Sequence, residues 1–265
     1  MRYSLTWLPD VLKNAGLKVA TVDGWEERGR DEIGTVCGVI CHHTAGPRAG
    51  NMPTLRTLIQ GRSDLPGPLA QLGLGRDGTY YVISAGRCNH AGAGEWQGLT
   101  SGNGNFIGIE GENTGGSDDS PWPSVQMDAY QRGVAAILKH VGRTELFCAG
   151  HKEYATPAGR KTDPNFDMDA FRKAVAGFLN GQAPPPPIPR AEPAPGPNQT
   201  EPRPTLRRGA QGELVRQLRE KLRMDAGDQF DALTEAFVRA FQRSRLLVPD
   251  GIVGPKTWQK LDEMA

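Results

Sequence analysis

The chain contains no apolar run near the roughly 20 residues that a membrane-crossing helix needs. It also lacks charge of one sign: 31 Lys and Arg stand against 30 Asp and Glu, a formal charge of +1, and no basic or acidic block exceeds a few residues. That balance argues against nucleic acid as a partner. Cysteine is scarce, with 4 in 265 residues, and no pair has the C-x-x-C spacing of a metal or redox site. Cys37 and Cys41 share a strand face but lie too far apart along it to bond each other, so Cys37, Cys41, Cys88 and Cys148 read as four buried thiols. Residues 1–18 have no uninterrupted apolar core and carry Asp10 and Lys13, which is not the pattern of a secretory signal. The expectation is a monomer made in the cytoplasm without a signal peptide and bound to neither nucleic acid nor membrane.

What is present is an alternation of strand and helix patterns. Trp7, Leu8, Val11 and Leu12 recur at helical spacing. Residues 17–22 alternate like a strand, and residues 33–42 read as a more buried one. Asn51 and Pro53 suit a helix start, and Arg76, Asp77 and Gly78 suit a hairpin leading into TYYVIS. After a glycine-rich stretch, FIGIEGEN resumes strand character at Phe106. A longer helix carries Met127, Tyr130, Val134, Ile137, Leu138 and Val141 on its apolar face, residues 146–148 form another buried strand, and Asp167 caps a helix carrying Phe171, Val175 and Phe178. Residues 1–181 therefore read as an α/β domain, a mixed central sheet flanked by helices.

In residues 183–204 the composition changes: 10 of 22 residues are proline, which cannot build a core and favours an extended polyproline II spacer. Residues 182–204 are read as the linker. Residues 205–265 then show three short amphipathic helices, one lined by Leu214, Val215, Leu218 and Leu222, a second by Leu233, Phe237, Val238 and Phe241, and a third by Trp258 and Leu261. They read as a small three-helix domain.

Four of the five histidines, His42, His43, His90 and His151, fall at strand ends or glycine-rich turns. Loops converge on a rigid base at such places. Because successive strand residues face opposite ways, only one of His42 and His43 can enter a given pocket, and parity does not say which. His151 follows a strand, and Asp163 comes 12 residues later within KTDPNFD. Two imidazoles and a carboxylate leave a fourth position for water, the composition of a catalytic zinc site. Glu110 and Glu112 share a strand face as rival candidates for a base, and Lys161 could aim a cation at the same region.

HHTAG at 42–46, NHAG at 89–92, FIGIE at 106–110, and His151 followed by KTDP at 161–164 resemble, in that order, the zinc-dependent N-acetylmuramoyl-L-alanine amidases of the type 2 amidase and peptidoglycan-recognition-protein superfamily. The resemblance implies His42, His151 and Asp163 as zinc ligands, Glu110 as general base, Lys161 as the oxyanion-stabilising cation, and Asn89 and His90 on the substrate side. LRRGAQGELVRQLREKL at 206–222, AFQ at 240–242 and DGIVGPKTWQKL at 250–261 resemble peptidoglycan-binding domain 1. That family's central glycine turn is replaced here by DQFDALT at 228–234, which puts the turn in question. Together the resemblances imply a zinc amidase cutting the bond between N-acetylmuramic acid and L-alanine, tethered to peptidoglycan, an endolysin of phage or prophage type that acts on the cell wall after release. A peptidoglycan recognition protein without catalysis, or a zinc peptidase of the stem peptide, are the alternatives.

Overall fold

The computed structural model describes residues 3–182, 203–245, 247 and 249–263. Most of the proline-rich linker, residues 183–202, lies outside the described residues. The chain forms two compact units, one on each side of that segment.

In the first unit the strands are β1 (Lys18–Thr21), β2 (Gly38–His43), β3 (Gly61–Arg62), β4 (Leu65–Pro66), β5 (Leu72–Leu74), β6 (Thr79–Val82), β7 (Phe106–Gly111) and β8 (Cys148–Gly150). The helices are α1 (Leu8–Asn14), α2 (Leu55–Gln60), α3 (Gly102–Asn105), α4 (Ser124–His140), α5 (His151–Tyr154) and α6 (Met168–Leu179). β3 and β4 pair with each other, and the other six strands form one mixed sheet in the order β1-β6-β5-β7-β2-β8. Within that sheet only β5 and β6 run antiparallel, joined by the expected hairpin, whose tip needs Gly78 at φ 79°. The remaining neighbours are parallel.

β2 is shorter than its apolar pattern suggests, because its partner β7 begins only at Phe106 and their paired register starts at Gly38. Sandwiched between β7 and β8, β2 buries both faces, so it reads as a continuous apolar run. Val39 and Cys41 join the large core with α4 and α6, whereas Ile40 packs on the other face with Ala91, Phe106, Ala149 and Tyr154. The parity of this strand decides everything at its end: His42 continues the Ile40 face and His43 the Cys41 face. All four cysteines are buried free thiols, and Cys41 and Cys148 approach to 3.6 Å between sulfurs, a proximity across β2 and β8 that spacing did not reveal.

The second unit contains α7 (Glu213–Lys221), α8 (Ala232–Ser244) and α9 (Pro255–Asp262) around Val215, Leu218, Phe230, Val238, Phe241, Trp258 and Leu261. The DQFDALT segment makes its own turn. Phe230 plugs the core, its backbone pairs with Gly209 and Ala210, and the Asp231 carboxylate caps α8 by accepting from Thr234 N at 2.7 Å. Leu233 and Phe237 are not core residues, being 57% and 42% exposed. The buried face of α8 runs instead through Thr234, Val238, Phe241 and Gln242. Among the described residues no helix is long and apolar enough to cross a membrane.

Candidate active site

β7, β2 and β8 are adjacent and parallel, so their carboxyl ends open on one edge of the sheet, where ligands of α/β folds bind. The register sets His42 beside Glu110 and Cys41 beside Gly150, which brings His151, the residue following β8, level with His42. Asp163 enters from the loop after α5, held where its carbonyl accepts from Lys152 N at 2.7 Å. The result is a tight cluster. His42 Nδ1 lies 3.0 Å from His151 Nδ1 and 3.0 Å from Asp163 Oδ2, and His151 Nδ1 lies 3.1 Å from the same oxygen. His43 turns away: its Nδ1 accepts from Asn165 N, and its ring lies over Gly115.

The surrounding hydrogen bonds determine which nitrogens carry protons. His151 Nε2 is 2.9 Å from the Ala91 carbonyl, which can only accept, so that nitrogen donates and Nδ1 is the one that faces the cluster. His90 Nε2 likewise faces the Phe106 carbonyl at 3.1 Å, leaving His90 Nδ1 to accept from His42 Nε2 at 3.1 Å. The His42 Nδ1 atom is then also a lone pair. Burial pushes the His42 pKa down to about 4, against the pull of the Asp163 carboxylate, so the ring is neutral at neutral pH. Burial, reinforced by His42 and His151, also holds His90 well below its ordinary value. Three atoms that can each offer a lone pair to a cation thus converge within 3.1 Å. Such a set repels itself unless a cation sits among it, and two imidazoles with one carboxylate suit a divalent metal ion.

The two glutamates are distinguished by their partners. Glu112 is fully buried and accepts from Thr44 Oγ1 and Thr54 Oγ1 at 2.8 Å and from Thr54 N at 3.1 Å, which ties the loop after β2 to the end of β7. Glu110 Oε2 is buried without a hydrogen-bond partner, and Glu110 Oε1 lies 4.0 Å from His42 Nδ1. Burial, then the charge of Asp163, raises the Glu110 pKa to about 8, while Lys161 pulls it down. Lys161 lines the same cleft of about 280 Å³, together with Asn89, His90, Arg62 and Arg160. Asn89 Nδ2 donates to the Pro66 carbonyl. His90 has both ring nitrogens engaged inside the protein.

Two residues that the sequence did not single out help to build the site. The Tyr130 hydroxyl, on the core face of α4, accepts from His42 N at 2.9 Å and donates to the Ile109 carbonyl at 2.7 Å, so it pins β2 to β7 directly at His42. Its helical spacing marked it only as core. Asn103 accepts through Oδ1 from His90 N at 2.9 Å and Ala91 N at 2.8 Å. Nothing in GNGN signals that role.

Residues 33–166 match the family model described as N-acetylmuramoyl-L-alanine amidase, and residues 211–261 match that of the putative peptidoglycan binding domain. Several solved structures are similar. A selenomethionine derivative of AmpD has 24% identity and a TM-score of 0.44 over 60% of this chain and 93% of that one. AmiA of Staphylococcus aureus, in complex with its ligand, has 15% identity and a TM-score of 0.45 over 70% and 97%. AmiD from Escherichia coli, in complex with the substrate anhydro-N-acetylmuramic acid-L-Ala-D-γ-Glu-L-Lys, has 17% identity and a TM-score of 0.43 over 89% and 91%. No curated protein matches in sequence. The amidase model spans slightly more than half of the chain and takes in His42, Glu110, His151 and Asp163, and the chain belongs to the N-acetylmuramoyl-L-alanine amidase family.

Proposed function

We propose that this amidase is a zinc enzyme that cleaves the amide between N-acetylmuramic acid and L-alanine, with residues 1–181 as the catalytic domain, 182–204 as a linker and 205–265 as a peptidoglycan-binding module. The observation that carries the reading is the convergence of His42 Nδ1, His151 Nδ1 and Asp163 Oδ2 at 3.0 to 3.1 Å. Tetrahedral ligands about 2.0–2.1 Å from a zinc ion are roughly 3.3 Å apart, close to that spacing. Three protein ligands also leave a position open for chemistry, as catalytic rather than structural zinc sites do.

Zinc bound there would supply Lewis acidity, polarising the scissile carbonyl and acidifying a water molecule. The chain's own groups do the rest. Glu110, with one oxygen unsatisfied and its proton affinity raised toward neutral pH, takes the proton of the attacking water and returns it to the leaving amine of L-alanine. Lys161, on the cleft wall, offsets the negative charge that develops on the carbonyl oxygen. Asn89 contributes to the substrate wall of the same cleft. A wall-binding module in the same chain raises the local substrate concentration, which suits a lytic enzyme. We read it as a monomeric endolysin of phage or prophage type.

Turbidity clearing of purified cell walls tests the reading. Chelation and Asp163→Ala are each expected to lower the rate at least a hundredfold, with zinc restoring only the chelated wild type. Equal rates in either arm would refute a zinc mechanism. A zinc peptidase of the stem peptide would be revealed by mass spectrometry as cut stems, whereas amidase action leaves intact stems with a free L-alanine amino terminus.

A further inference from the structure

The turn Asn89–Ala91 stands behind both histidine ligands at once. The His90 ring, which is buried, meets His42 edge-on at an interplanar angle of 90°, its Nδ1 3.1 Å from His42 Nε2. One residue later the Ala91 carbonyl accepts from His151 Nε2 at 2.9 Å. The turn itself is clamped by Asn103 Oδ1, which takes both the His90 and Ala91 N–H groups, while Arg160 Nη2 donates to Ala93 O at 2.6 Å. The neighbouring strand is cut away to seat the ring. A Cβ on Gly108, in the middle of β7, would come within 2.6 Å of His90 Cγ, so only glycine fits there.

A metal-bound histidine usually donates its other N–H to a carboxylate, a carbonyl or water, and that partner sets its tautomer and orientation. His151 has the ordinary arrangement, with a carbonyl partner. His42 has a second imidazole, and an imidazole can accept only if its own far nitrogen carries the proton. The Phe106 carbonyl imposes that state, 3.1 Å from His90 Nε2. Protons are therefore ordered along one line, from Phe106 O through His90 to His42.

Resting on the zinc reading above, we propose that His90 is a positioning residue. Seated on Gly108 and held by the Phe106 carbonyl, it locks His42 with Nε2 protonated and Nδ1 presented to the metal. The NHAG segment is then the common outer support of both histidine ligands.

Zinc affinity of the full chain, measured by chelator competition, separates positioning from mere filling of space. Phe at position 90 keeps ring volume but accepts no hydrogen bond, whereas Asn is smaller yet can offer Oδ1 where Nδ1 stood. His90→Phe is expected to weaken zinc binding 10- to 100-fold. His90→Asn is expected to stay nearer to wild type. A space-filling role predicts the reverse order, and that order, or a His90→Phe variant within threefold of wild type, would overturn the proposal. Should neither variant fold, ¹⁵N NMR of histidine-labelled, zinc-loaded wild type decides: His42 and His90 must both be protonated at Nε2, and a proton on His90 Nδ1 refutes the relay. Wild type that binds no zinc would instead overturn the zinc reading itself, and this inference with it.

Discussion

Glutamine at position 110 would exchange a carboxyl group of raised proton affinity for a neutral amide of nearly the same shape, and the effect on stability follows from linkage. Glu110 titrates at about 8 in the folded chain against an ordinary 4.5, chiefly because it is buried. The folded state therefore holds the proton more tightly than the unfolded chain does. The stability this contributes is whole below the unfolded value of 4.5 and is lost as pH rises through about 8. At about 1.36 kcal/mol per unit, the loss is roughly 2 kcal/mol by pH 6 and roughly 4 kcal/mol by pH 8. An amide loses nothing over this range. Metal-free Glu110→Gln should melt within a few degrees of wild type at pH 5 and roughly 8–16 °C above it at pH 8, at about 2–4 °C per kcal/mol for a unit of this size. Thermal unfolding by circular dichroism in the presence of a chelator reads the difference. A cation among the ligands favours the ionised carboxylate, so zinc should narrow the gap. Lytic activity should fall about 10²- to 10⁴-fold in the same variant. Melting curves that shift in parallel with pH, leaving a constant difference, would refute the burial of an ionisable group at this position.

Three further outcomes are expected. His43→Ala should keep zinc affinity within threefold of wild type while His42→Ala abolishes it, read by the same chelator competition, since His43 faces Asn165 and not the cluster. Glu112→Ala should lower the midpoint of urea unfolding by the equivalent of about 1–3 kcal/mol, because it removes the shared acceptor of three half-buried donors at Thr44 and Thr54. A chain ending at Gln182 should lose sedimentation with insoluble peptidoglycan yet still melt cooperatively, because among the described residues the core of the first unit reaches no further than Leu179.

The elements that could be read from the chain are those whose signal is local. Asp167 capping α6, Asp77 and Gly78 at the β5–β6 turn, and the apolar stripe of α4 each depend on residues within a turn or two of one another. Where partners are distant, the pattern misled or fell silent. β2 starts later than its apolar residues do because pairing requires β7, and Leu233 and Phe237 look like core residues but face outward because α7 and α9 approach α8 from its other side. Cys41 and Cys148 meet across adjacent strands over a separation that no spacing rule covers.

The candidate site divides in the same way. By itself the sequence determined the residue types and the strand ends they occupy, and its motifs pointed to the family and nominated His42, Glu110, His151, Lys161 and Asp163 as candidates. Only the tertiary structure decided between neighbours. His42 turns inward because it continues the face of Ile40, and Glu110 keeps an unpartnered oxygen because Thr44 and Thr54 occupy Glu112. The role of His90 likewise depends on carbonyls of Phe106 and Ala91, backbone groups that every residue carries and no sequence pattern marks. Proton placement in this cluster is a property of which acceptor stands opposite which nitrogen, and that is settled only when strands distant in the chain are packed side by side.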